Sequence, residues 1–125
     1  MNAKQDIKRL RQIKQELDVL ASVKEKHEKK IRILGRVGTD AAEREIRHLS
    51  DFVNGLKIPQ LTKEKNELEE IYLSRIKALS PLDHLIIEGF LDGGTYSKIA
   101  LDLGYSEVGV RKRLSKIYCK LNIEK

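Results

Sequence analysis

Apolar residues in the first part of the chain recur at spacings of three and four: Leu10, Ile13, Leu17, Leu20, then Ile31 and Leu34, with Lys24 and His27 at the intervening seam positions. This is a heptad a/d series. It predicts a coiled-coil-like helix over residues 3–34, its stripe widened by Ile7 and Val23. Gly35 and Gly38 end it, because glycine enters the left-handed cap conformation without strain. Thr39 and Asp40 are the caps available to a second helix, and Asp40 with Glu43 has capping-box spacing. That helix carries Ile46, Leu49 and Val53 and stops at Asn54-Gly55. Residues 56–61, with Pro59, read as a connector. Thr62 then caps a third helix, to Leu79, in which Leu61, Lys65, Leu68, Tyr72 and Leu79 fall near heptad spacing beside Ile71 and Ile76. These seams are narrow. They have to be buried against one another, against a second subunit, or both.

The last third has a different pattern. Ser80-Pro81-Leu82-Asp83 is a helix start, with a capping serine, proline at the first helical position and aspartate at capping-box distance. The helix holds Leu82, Leu85, Ile86, Phe90 and Leu91 and stops at Gly93-Gly94. Thr95 caps a short helix over 96–103, Gly104 supplies a positive φ, and Ser106 caps a longer helix over 107–121. Two helices joined across a short glycine-led turn form the helix-turn-helix outline. Ala100 stands where the pair crosses, and Ile99, Leu103, Val110, Leu114 and Ile117 lock it to the preceding helix. The fold expected is all-α. Residues 1–79 form a helical oligomerisation or partner-binding region, and residues 80–125 a helix-turn-helix domain.

Charge sharpens this division. The chain carries a net +6, a balance that favours a polyanionic partner. Residues 1–36 hold eleven Lys/Arg against five Asp/Glu, and residues 95–125 hold seven against three. The second excess lies mostly on the last helix. A single cysteine, Cys119, can form neither an internal disulfide nor a zinc site; it reads as a small buried or half-exposed residue, and Tyr105 as a packing residue. His27, His48 and His84 share no metal-ligand spacing. No phosphate-binding glycine loop, nucleophile elbow or HExxH stands in the sequence, so neither enzymatic chemistry nor a cofactor is expected. No signal peptide or spanning segment is visible, and the expected setting is cytoplasmic, away from membranes.

The segment Gly94-Thr95-Tyr96-Ser97-Lys98-Ile99-Ala100, Leu103-Gly104-Tyr105-Ser106 and Val110-Arg111-Lys112-Arg113-Leu114 resembles the DNA-binding region four of bacterial sigma factors, and residues 117–121 are similar to the output domains of LuxR-type regulators. The likeness covers about a third of the chain. As a whole, charged helices followed by this module resemble small sigma-like transcription regulators of phages and mobile elements in Gram-positive bacteria. The resemblance implies a partner, double-stranded DNA, with the last helix in the major groove. Glu107, Val108, Arg111 and Lys112 would face base edges: Glu107 toward cytosine N4, Arg111 toward guanine, Val108 toward a thymine methyl. Gly109 departs from the Thr or Arg often found there and has no side chain for readout. Thr95 and Ser106 would cap the two helices near phosphate, and Lys98, Arg113, Lys116 and Lys120 would contact the backbone. Contact with RNA polymerase is implied by the sigma likeness alone. The N-terminal helices would make a homodimer, with His27 at its contact. Two other readings stand beside regulation: a DNA-packaging protein like phage terminase small subunits, and a helical adaptor that binds no DNA.

Overall fold

A computed structural model describes residues 2–122. Among them are six α-helices: α1 (Ala3–Gly35), α2 (Asp40–Asn54), α3 (Ile58–Lys77), α4 (Pro81–Leu91), α5 (Tyr96–Leu103) and α6 (Glu107–Leu121). No strand occurs among the described residues, so the fold is all-α.

The helix boundaries follow from local chemistry. Thr39, Ser80, Thr95 and Ser106 each accept a backbone N–H from three residues onward, as N-caps do. Thr39, rather than Asp40, is the cap of α2. Gly38 takes the left-handed conformation after α1, whereas Gly35 remains helical. The cap expected at Thr62 falls inside α3. The helix begins at Ile58 and runs through Pro59, because proline in a first turn lacks only an N–H that would have no helical partner. Residues 58–61, read as connector, are therefore helical.

The chain forms two compact units, Met1–Gln15 with Lys63–Lys125, and Glu16–Thr62. The first is built on one apolar core. Ile86, Ile87, Phe90 and Leu91 of α4 meet Ile99 and Ala100 of α5 and Val110, Leu114, Ile117 and Leu121 of α6, and Ala3, Ile7, Leu10, Tyr72 and Ile76 complete the same cluster. The first turns of α1 and most of α3 thus pack with the last three helices, and a boundary at Leu79 would cut through this core. Leu85 of α4 is half exposed.

Polar contacts fix the unit further. Asn122 Oδ1 accepts the backbone N–H of Ala3 at 2.8 Å. Arg75 donates to the carbonyl of Asn122 at 3.0 Å, a cation at the negative pole of α6. Arg9 donates through Nε and Nη2 to both carboxylate oxygens of Glu64 at 2.8 and 2.9 Å, a forked pair that holds the Glu64 carboxyl below its ordinary range. The Tyr72 hydroxyl donates to Asp6; burial first, and that bond second, push its ionisation upward.

The second unit, Glu16–Thr62, is thinner. Its buried apolar residues are Ala42 and Leu49, while the seam residues Leu17, Leu20, Val23, Ile31 and Leu34 are only half buried. The seam histidine has a partner inside this unit: His27 stacks on Phe52 with ring centroids 4.8 Å apart, and its Nδ1 lies 2.8 Å from the Val23 carbonyl oxygen.

Candidate nucleic-acid interface

Helix α6 is two-sided. Val110, Leu114, Ile117, Tyr118 and Leu121 are buried, whereas Glu107, Val108, Arg111, Lys112, Ser115, Lys116 and Cys119 are exposed. The second set recurs at helical spacing, so it forms one outward stripe. Val108 is 61% exposed at the start of that stripe, free of the core that burial would otherwise claim. The turn before α6 is set by Gly104, with φ +73, and a Cβ there would meet nothing within 4 Å. The requirement at 104 is therefore conformational and not one of space. At position 109 the situation is reversed: a Cβ would approach the Ser106 Oγ to 3.0 Å, and that oxygen is the one accepting the Gly109 N–H. Glycine leaves room for the cap.

Two of the residues expected at base edges, Glu107 and Arg111, are coupled to each other. Glu107 receives Arg111 Nη2 on one carboxylate oxygen and Ser97 Oγ on the other, each at 2.9 Å. Arg111 also lies over the Tyr96 ring, 4.9 Å from its centroid, a cation–π contact. This pair is exposed, so it is weak, about 0.5 kcal/mol, and opens readily for another partner. Lys112 and Lys116 are exposed on the same stripe, and Lys98 is exposed on α5; none has an ion pair among the described residues. Thr95 and Ser106 cap their helices from exposed positions.

Arg113 and Lys120, expected at phosphates, are held elsewhere. Arg113 Nε donates to Asp83 Oδ1 at 2.8 Å and Lys120 Nζ to Oδ2 at 3.0 Å. Asp83 is 2% exposed. Its backbone N–H reaches Ser80 Oγ as the cap requires, but its carboxylate turns to α6 instead of back to the cap. Burial alone would raise its pKa; the two cations outweigh burial and hold the carboxyl below its ordinary 3.8. Opposite-charge pairing of Asp83 with cations 30 and 37 residues away leaves no local sequence trace.

Three further residues were not singled out as site residues from sequence. Tyr96 and Ser97, at the start of α5, hold Arg111 and Glu107. Tyr118 lies on the buried face of α6, its hydroxyl buried and unpartnered among the described residues, and burial, reinforced by Tyr96 and opposed by Arg11, pushes its pKa up to about 12. Tyr105 is 48% exposed and Cys119 is exposed, so neither belongs to the core. Among the described residues, no group of three His, Cys, Asp or Glu could hold a metal ion, and no helix is long and apolar enough to cross a membrane. Comparison with protein-family models, curated proteins and solved structures finds no match.

Proposed function

We propose that this chain is a sequence-selective DNA-binding transcription regulator of the small sigma-like type, with α5 and α6 as its helix-turn-helix and α6 in the major groove. The observation that carries the reading is the outward stripe of α6, where Arg111, Lys112 and Lys116 project from a capped helix. Such a helix, N-terminal end first, is what the major groove admits. Arg111 has the fork that guanine O6 and N7 accept, Glu107 an acceptor for cytosine N4, and Val108 a methyl surface for thymine. Lys112 stands with them at the base edges, and Thr95, Lys98, Ser106 and Lys116 are the phosphate-facing set. Arg113 and Lys120 act through Asp83, holding α6 against α4, and leave that set.

The proposal extends to a cytoplasmic setting and to self-association through the unit Glu16–Thr62, where Val19, Ile33, Val37 and Phe52 are exposed. A role for RNA polymerase rests on the sigma resemblance. The test is a gel-shift titration on DNA selected from random fragments. Arg111→Ala is expected to lose about 1–3 kcal/mol and to relax preference at one base pair, while Lys116→Ala weakens all sequences alike. Equal binding by wild type and Arg111→Ala on the selected site overturns the assignment of α6 to base readout. A complete lack of binding at low salt would return the module to an adaptor role, since phosphate contacts are strongest there. A ring of eight or more subunits in light scattering would favour packaging.

A further inference from the structure

A solvent-open hollow of about 390 Å³ is lined by Lys8, Arg11 and the amide side chains of Gln12 and Gln15 on α1, by Phe90 at the end of α4 and by Tyr96 at the start of α5. All six residues belong to the same compact unit. The charge lining it is positive only. Arg11 is fixed there: its guanidinium lies 4.5 Å from the Phe90 centroid, and Nη2 donates to the carbonyls of Gly93 and Gly94 at 3.1 and 3.3 Å. Its Nε is buried without a hydrogen-bond partner among the described residues. Lys8 is exposed at the rim and has no ion pair among the described residues. Tyr96 closes the hollow on the α5 side, stacked on Phe90 at 6.2 Å, and its ring is also the platform for Arg111. A row of cations therefore runs from α1, past one aromatic ring, to the base-reading end of α6.

We propose that this hollow seats a backbone phosphate of duplex DNA, with Lys8 and Arg11 as the cations and Gln12 and Gln15 as neutral donors. The first turns of α1 would then be part of the DNA contact. The proposal rests on the helix-turn-helix reading above, in which the first helix of the pair crosses the phosphate backbone beside the groove that α6 enters. The start of α5 is where the hollow lies. A pre-fixed arginine loses little side-chain freedom on meeting a phosphate. Fixed cations and amide donors position a duplex without reading sequence. The hollow thus supplies affinity and register, and Arg111 supplies choice.

The experiment measures affinity against salt concentration on several duplexes for wild type, Lys8→Ala, Arg111→Ala and Lys77→Ala. Lys77 lines a different hollow, with Leu10 and His84, and serves as the control for net charge. Lys8 is exposed, so its removal leaves the core intact. Lys8→Ala is expected to lower the magnitude of the log–log salt slope by about 1 while keeping the order of preference among sequences, and Lys77→Ala to leave the slope unchanged. An unchanged slope in Lys8→Ala alongside altered preference in Arg111→Ala overturns the α1 contact and spares the helix-turn-helix reading. Equal loss in Lys8→Ala and Lys77→Ala also overturns it, since the effect is then one of overall charge. Failure of wild type to bind any duplex at low salt overturns both.

Discussion

Two buried titratable residues of the first unit are shifted in opposite directions. Asp83 is buried with two cations, so Asp83→Asn leaves Arg113 and Lys120 without their acceptor charge. Hydrogen bonds to charged groups contribute about 1.5–3 kcal/mol, and a loss of that order is expected in urea denaturation near neutral pH. The pH dependence has a definite sign. A carboxyl held below its ordinary 3.8 when folded contributes stability that is complete above that value and is lost as pH falls through the folded pKa. Wild type should therefore lose more stability than Asp83→Asn between pH 5 and pH 2, about where aspartate titrates, as read by paired denaturation curves. Tyr118 is the contrary case. Its hydroxyl is buried without a partner among the described residues, and such a group costs free energy. Tyr118→Phe should be neutral or stabilising by up to about 1 kcal/mol. Because its folded pKa is raised to about 12, the hydroxyl's contribution is complete below the ordinary tyrosine value near 10 and is lost as pH rises through 12. Phenol absorbance should show one late-titrating tyrosine fewer in the variant.

At the scale of elements, α4, α5 and α6 were legible because their ends are written locally. Ser80, Thr95 and Ser106 cap from within three residues, and Gly104 marks its turn by conformation alone. Gly104→Ala should cost about 1–2 kcal/mol, the strain of a left-handed residue with a Cβ, while leaving the pair able to form. Gly94→Ala should cost more, because its Cβ would come within 2.8 Å of the Gly89 carbonyl oxygen, a backbone atom that cannot swing aside. Thermal midpoints of the two variants, measured together, check the order. The start of α3 was less legible. Pro59 carries the same sequence signal in a connector and in a first turn, and only the backbone around it decides. The destinations of the seams were not legible at all. Ile7 and Leu10 read as one coiled-coil stripe with Leu17 and Leu20, yet the first two join the core with Tyr72, Ile86 and Phe90. Periodicity reports which face is apolar and not what covers it. The same holds for the candidate site: the exposed stripe of α6 followed from helical spacing, whereas the capture of Arg113 and Lys120 by Asp83, and the shelf that Tyr96 offers Arg111, depend on helices docking.

Across the whole molecule, the two units differ in how much they bury. The unit containing α4–α6 has a continuous core, and Glu16–Thr62 buries only Ala42 and Leu49. Elements with few buried contacts open most readily. Native-state hydrogen exchange should therefore show the amides of α2 exchanging faster than those of α4 and α6, by about tenfold for each 1.4 kcal/mol of difference in opening free energy. Equal protection of α2 and α6 would mean that the units open together. His27→Ala should raise α2 exchange further, since it removes the stack on Phe52.

The bond between Ala3 and Asn122 spans 119 residues of sequence, and its consequence is one of timing. On the ribosome, the opening turns of α1 emerge long before the residues that will cover Ile7 and Leu10. The unit Glu16–Thr62 has all of its own sequence in hand by residue 62. Closure over so long a separation is slow in entropy terms, so the unit Glu16–Thr62 should form during synthesis and the unit built on α4–α6 only afterwards. Stalled nascent chains ending near residue 100 should accordingly leave residues 3–15 open to protease, and the released full chain should protect them.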